Sequence, residues 1–372
     1  MKPFHYPLRV LQNQLGLVPR PSFCTYLVCN RCNARCGMCD SWRMPRGDEL
    51  SLEQVTHVFR QLGSLDVVRL TGGEPFLRPD LLAVAEAVMT ESAPAVLHVT
   101  TNGSLPERVF ELARQFSRPG RLRIMVSFDG MQEVHDRSRG KRVTFERALA
   151  TVKALVPLRS RGVQVSVNHT IISRESLADH AALSELMREE GVDTQWVLAY
   201  SESSMYVKER RGRRAPDLVL LNGYPLHPEL DVAESLEFAR AELGHVGEIR
   251  DPVLRAGKRY YLAGLVARLE KQTPARPKPK CVALRSHIRL LPNGDVPVCQ
   301  FNTEIMGNLV RESFEAVWHK PQSRAARRWV DACSGCWAEC EVVPNALYSG
   351  DLLRRLRVSA APAPSRRGSR VV

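Results

Sequence analysis

The sequence predicts an α/β fold: a partial (β/α)6 TIM-like barrel followed by a small cysteine-rich α+β domain. Three observations lead there. Short apolar segments alternate with longer helix-like segments from residue 23 to residue 200. The chemically unusual residues fall just after the short segments. Ten cysteines form two groups, five near the start and five near the end.

The elements can be justified in order. Phe23 to Cys29 (FCTYLVC) reads as a first strand. Leu52 to Leu62 reads as a helix, because Ser51 precedes it with Gln54 three residues on, a capping-box pattern. Further strands are predicted at Val67 to Leu70, Ala95 to Thr100, Leu122 to Phe128, Val163 to Thr170 and Gln195 to Tyr200. Helices are predicted between them at Pro79 to Thr90, Pro106 to Phe116, Val143 to Leu158 and Leu177 to Glu190. Repeated strand–helix units imply right-handed parallel crossovers. In such barrels the chemistry sits on loops after the carboxyl ends of strands. Those loops here carry CNARCGMC, TGGEP (Thr71 to Pro75), TNG (Thr101 to Gly103) and SFDG (Ser127 to Gly130). Asn168 closes the fifth strand, and Tyr200, Glu202 and Tyr206 lie near the expected mouth as ordinary lining.

The expected organisation is a 1–22 N-terminal extension, a 23–200 barrel, a 201–280 helical connector, a 281–345 cysteine-bearing unit and a 346–372 basic disordered tail. The connector holds predicted helices at Val232 to Leu243 and Pro252 to Leu269, then the Pro/Lys linker Thr273 to Lys280. In the next unit HIRLLPNGDVPVC reads as a β-hairpin on an Asn293-Gly294 turn.

Composition sets the outer limits. Of 372 residues, 44% are hydrophobic and 25% charged, which excludes a wholly disordered chain. Glycine and proline follow no period, which excludes collagen-like sequence. No run of apolar residues is long enough to span a bilayer, and the N-terminus lacks the apolar core of a secretory signal. A cytoplasmic location is therefore expected. The net charge of +13 is concentrated in the last twenty residues and in Val207 to Arg214. Both read as solvated segments, so no stable nucleic-acid or membrane partner is expected.

Clustered cysteines in such a chain point to metal rather than disulfides. Cys32, Cys36 and Cys39 form C-x3-C-x2-C in the first barrel loop. Three thiolates can hold a cubane iron–sulfur cluster while leaving one iron open. With GGEP after the next strand, this pattern resembles the radical S-adenosylmethionine (SAM) superfamily. The resemblance implies a [4Fe-4S] cluster on these three cysteines, with SAM as its ligand. It implies cleavage of SAM to a 5′-deoxyadenosyl radical that takes hydrogen from a substrate carbon. It places Gly72, Gly73, Glu74 and Pro75 against SAM, with Asn102, Ser127, Asp129 and Asn168 beside them. The family's aromatic residue before the third cysteine is here Met38, a flexible and polarisable substitute. Cys24 and Cys29 read as buried thiols, the common fate of free cysteine. A rival reading adds Cys29 and closes the cluster as in a ferredoxin, but leaves GGEP without a purpose.

The second group reads C-x12-G-x4-C (Cys281, Gly294, Cys299), then C-x2-C (Cys333, Cys336), with Cys340 four further on. It resembles the SPASM and Twitch extensions of radical SAM enzymes, and its cysteine count is closer to Twitch. The resemblance implies one auxiliary [4Fe-4S] cluster on Cys281, Cys299, Cys333 and Cys336, with Cys340 a spare or a substitute. Zinc could satisfy a similar thiolate set.

The resemblance implies an enzyme acting on a small molecule, such as a sugar or natural-product intermediate, and fed by an electron donor such as flavodoxin or ferredoxin. A peptide or protein maturase is the alternative enzyme. A non-enzymatic iron–sulfur or zinc protein is the alternative of another class. No residue is identifiable as the substrate base.

Overall fold

A computed structural model describes residues 6–18, 20–39, 41–44, 47–201, 224–249, 252–272, 274–333 and 335–354. Its centre is a seven-stranded sheet in which all neighbouring strands are parallel. The strands are β1 (Phe23–Cys29), β2 (Val67–Gly72), β3 (Val96–Thr101), β4 (Leu122–Phe128), β5 (Gln164–Ile171), β6 (Asp193–Leu198) and β7 (His287–Leu290). Their order is β6-β5-β4-β3-β2-β1-β7, with open edges at β6 and β7. The partial barrel is thus borne out, extended by a seventh strand from the C-terminal unit.

Side-chain alternation explains the layering. Cys24, Tyr26 and Val28 on β1, Val68 and Leu70 on β2, Leu97 and Val99 on β3, and Ile124 and Val126 on β4 are buried in one core against the helices. The intervening residues form the opposite face. One register row across it reads Thr25, Arg69, His98, Arg123 and Gln164. A higher row reads Ser127, Asn168 and Gln195. A parallel sheet buried on one face by helices and polar on the other fits a barrel that holds a polar ligand.

The helix Leu52–Leu62 begins as its sequence implies. Ser51 Oγ accepts the Gln54 N–H at 3.3 Å, and Gln54 Oε1 accepts the Ser51 N–H at 2.9 Å. After β4 the helix expected at Val143 to Leu158 runs Thr144–Leu155, and a further helix that was not expected, Gln132–Arg139, precedes it. Gly140, at φ +63°, ends the earlier one. Asp136 starts the later one by accepting from the Val143 and Phe145 N–H groups and the Thr144 hydroxyl.

The expected hairpin is corrected. A turn does form at Asn293-Gly294, with Gly294 at φ +86°. Its first arm, β7, pairs in parallel with β1. Its second arm, β8 (Asp295–Pro297), pairs antiparallel with β9 (Ile305–Asn308). The free edge of β1 offers β7 a longer ladder than a local hairpin would.

Two termini also differ from their expected descriptions. The N-terminal extension contains a helix, Tyr6–Gln14, whose Asn13 side chain donates to Ser286 Oγ at 2.7 Å and to the Tyr348 carbonyl at 3.0 Å. The boundary at residue 345 falls inside a helix, Glu339–Tyr348. Residues 355–372, Glu202, Tyr206 and Val207 to Arg214 lie outside the described residues.

The connector helices Val232–His245 and Pro252–Leu269 pack in a second core with Trp196 and Leu198 of β6 and with Trp337 and Val342 of the C-terminal segment. Trp337 is buried, under Arg268 at 3.8 Å and stacked near Tyr261. A Cβ on Gly264 would come within 2.0 Å of its ring. Gly264→Ala should therefore lower stability by about 1–3 kcal/mol in a denaturant titration, the usual cost of overpacking. Gly257→Ala, on the same helix but facing open space, should not destabilise.

Candidate active site

The loops after β1 and β2 are locked together by their backbones. The Gly73 N–H donates to the Cys29 carbonyl at 2.9 Å, and the Glu74 N–H to the Arg31 carbonyl at 2.7 Å. A Cβ on Gly72 would lie 2.3 Å from the Cys29 oxygen, and one on Gly73 2.1 Å from the Arg31 oxygen. The two glycines are needed because one loop passes directly over the other. Cys29 adds to this contact, its thiol donating to the Glu74 carbonyl at 3.3 Å. Burial pushes that thiol up to about 12. Cys29 is fully buried, as is Cys24, consistent with structural thiols.

Glu74 is buried and fully engaged inside the protein. Its carboxylate accepts from Thr101 Oγ1 at 2.8 Å and from the N–H groups of Asn102 at 2.7 Å and Phe76 at 3.1 Å. Burial raises its pKa against these three donors. Glu74 thus joins the loop after β2 to the loop after β3, and Pro75 begins the short turn behind it. Asn102 continues the chain of contacts. Its Nδ2 donates to Asn33 Oδ1 at 2.9 Å, and Asn33 Nδ2 donates to Ser104 Oγ at 2.9 Å.

Cys32, Cys36 and Cys39 lie on this braced loop, and each acts electrostatically on another. Burial pushes the Cys36 thiol up to about 12, and Arg139 pulls the other way. Arg139 is itself buried. Burial works against its charge, but Asp129 and the thiols of Cys36 and Cys32 hold its pKa above the ordinary value. Asp129 Oδ1 accepts from Arg139 at 2.6 Å and Oδ2 from Ser138 at 2.7 Å. The Asp129 carboxylate is thus held by Arg139 and Ser138. Ser127 and Asn168 do stand together on the polar face, in one register row with Gln195 of β6. Among the described residues, Asn168 Oδ1 and Ser166 Oγ are buried without a hydrogen-bond partner. Such orphaned atoms fit a polar ligand lying over β4 and β5.

Sequence reasoning missed Asn33, Arg139, Gln195 and Trp42. Asn33 lies between two cysteines, a visible signal. Trp42 supplies an aromatic group close after the third cysteine, its Nε1 donating to the Cys36 carbonyl at 3.2 Å. Arg139 and Gln195 carry no local signal, since only the pairing of distant segments brings them here.

The second group of cysteines gathers beside β7. Cys281 is influenced by Cys299 and Cys333, and Cys336 by Cys281, Cys299 and Cys340. Burial pushes the Cys299 thiol up to about 12. Cys340 stands among them, donating to Gln300 Oε1 at 2.6 Å. Arg289 donates to Gln300 at 3.0 Å and to Glu341 at 2.6 and 2.9 Å. Burial pushes Glu341 up, but Arg289 and His287 overcome it and hold the carboxyl at about 2. Among the described residues, no three His, Cys, Asp or Glu side chains close around a single metal ion. The donor sets are all-thiol, the soft ligation that iron–sulfur clusters use.

Comparison with known proteins now bears on the site. The family model for the radical SAM superfamily matches residues 26–187. Residues 26–187 thus match the radical SAM superfamily. A model for the SPASM iron–sulfur cluster-binding domain matches residues 281–337. The cofactors that follow are a [4Fe-4S] cluster with SAM in the barrel and iron–sulfur in the C-terminal unit. Fe-coproporphyrin III synthase of Methanosarcina barkeri is 30% identical over 55% of this chain and 52% of its own. GTP 3′,8-cyclase of Saccharophagus degradans is 31% identical over 46% of this chain and 51% of its own. The chain thus spans about half the length of these curated relatives. Among solved structures, Streptococcus suis SuiB bound to S-adenosylmethionine superposes with a TM-score of 0.60 at 14% identity, over 85% of this chain and 70% of that one. Native anSMEcpe with bound AdoMet and the Cp18Cys peptide gives 0.56 at 14% identity, over 82% of both chains. These likenesses show a shared fold. Among the described residues no helix is long and apolar enough to cross a membrane.

Iron and acid-labile sulfide after anaerobic reconstitution test the ligand sets. About eight iron per chain is expected, the content of two cubanes. Cys36→Ala should lose about four of them and Cys29→Ala none. Loss of iron from the Cys29 variant would restore the four-cysteine reading of the first loop.

Proposed function

We propose that this radical SAM protein reductively cleaves SAM and abstracts hydrogen from a small-molecule substrate, oxidising it with the help of one auxiliary [4Fe-4S] cluster. The observation that carries the reading is the bracing of an open three-cysteine loop by GGEP at the mouth of a polar barrel face. When bound, the cluster and SAM together supply a 5′-deoxyadenosyl radical that removes a hydrogen atom from carbon. The protein's part is to position them and to exclude water.

Cys32, Cys36 and Cys39 would hold the first cluster, and Arg139 offsets the negative charge of their thiolates. Gly72, Gly73, Glu74 and Pro75 shape the wall beside the open position. Ser127, Asn168 and Gln195 line the face on which SAM would lie, with Asn168 Oδ1 offering an acceptor. Asn102 holds the loop in place through Asn33. Cys281, Cys299, Cys333 and Cys336 are the proposed auxiliary ligands, with Cys340 within reach as a substitute. The pairing of β7 with β1 sets this group at the edge of the barrel, where a bound cluster would accept the electron released as the substrate radical is oxidised. The relatives named as a synthase and a cyclase act on small molecules by their names, which supports that substrate class over a peptide.

The test is 5′-deoxyadenosine formation from SAM under dithionite. A small molecule that speeds it and is recovered two electrons more oxidised would support the proposal. Stimulation by a peptide alone would favour a maturase, and no cleavage would favour an iron–sulfur or zinc binding protein. Asn168→Ala should raise the KM for SAM about tenfold with iron content unchanged, the loss of one buried hydrogen bond.

A further inference from the structure

Beside the cluster loop lies a cavity of about 250 Å³ whose polar character is one-sided. Asn33 and Ala34 of the cluster loop form one wall, and Arg139, Lys141, Arg142 and Arg147 form much of the rest. Among the described residues, no carboxylate lines it. Asp129, Asp136 and Glu146 are committed elsewhere. Asp129 is bound to Arg139, Asp136 caps the helix Thr144–Leu155, and Glu146 meets Gln132.

The cluster loop is seated directly on this basic segment. The Arg35 N–H donates to the Arg139 carbonyl at 2.8 Å, and a Cβ on Gly140 would touch Arg35 at 3.2 Å. Cys36 is buried, yet its neighbours Arg35 and Gly37 are exposed, as are Lys141, Arg142 and Arg147. An exposed cationic rim therefore lies beside the cluster loop. Uncompensated surface charge of one sign costs self-repulsion and serves steering toward an opposite charge.

We infer that this rim is the docking surface for an acidic electron-carrier protein, a reduced flavodoxin or ferredoxin, which delivers its electron through the cluster loop. The inference rests on the proposed SAM cleavage, which consumes one electron per SAM. The donor is oxidised by one electron, and that electron is spent in breaking the C–S bond of SAM. Charge complementarity selects an acidic partner. The position beside Cys36 selects an electron carrier over a substrate, whose place is the polar barrel face.

The experiment uses the reconstituted full chain and the double variant K141E/R142E, with reduced flavodoxin or dithionite as donor. The variant should match the wild type in iron content and in dithionite-driven 5′-deoxyadenosine. Its flavodoxin-driven rate at low salt should fall at least about tenfold. The wild-type flavodoxin rate should drop between about 0.05 and 0.3 M salt, and the variant's should be flatter. Direct titration should show flavodoxin binding weakened by about tenfold, a readout that stands whether or not SAM is cleaved. Unchanged flavodoxin binding and rate would overturn the inference. Equal loss with both donors, or a raised KM for substrate under dithionite, would also overturn it and place a small anion in the cavity. Failure of the wild type to cleave SAM with dithionite would count against the proposed function, leaving the binding titration to decide the docking surface.

Discussion

The site depends on a backbone-to-backbone contact between the loops after β1 and β2. Two N–H groups, of Gly73 and Glu74, reach carbonyls of Cys29 and Arg31, and no side chain separates the strands there. That contact decides where the cysteine loop begins. A loop of thiols has little structure of its own, and its conformational freedom would cost binding energy if it were ordered only by metal. The clamp removes much of that cost in advance. Asn102 and Ser104, just after the third strand, brace the same loop through Asn33.

Polar residues that look like ligands in sequence prove to have two kinds of work. Glu74 and Asp129 are buried, and their oxygens are met by donors of the protein itself. An unpartnered carboxylate in such a place would be costly, so the fold satisfies it. Asn168 and Ser166 instead keep buried oxygens without partners among the described residues, on the face opposite the helices. The division separates residues that hold the mouth open from residues that face what enters it.

Charge follows a similar logic at both cysteine groups. Burial disfavours the thiolates that a cluster requires. Arg139 stands by the first group and Arg289 by the second, each tied to a buried carboxylate, Asp129 and Glu341 respectively. The carboxylate keeps the arginine charged and in place when the thiols are neutral. The arginine offsets thiolate charge when they are not.

Much of this protein was legible from its residues alone. Period-two and helical patterns located six strands, because each strand buries one face against helices and so must alternate or run apolar. Cysteine spacing located both thiol groups and GGEP supported the first, since three thiols within one loop leave a short-range signature. Tertiary structure decided the rest. Whether His287–Leu290 paired with its own turn or with β1 depended on an edge that only the assembled sheet presents. The burial of Arg139 beside Cys36 depended on a cysteine loop about a hundred residues earlier in the sequence, a separation no local pattern encodes. The physical reason is the same in each case: local propensity acts over a few residues, whereas the clamp, the seventh strand and the charge pairs arise from contacts between distant segments.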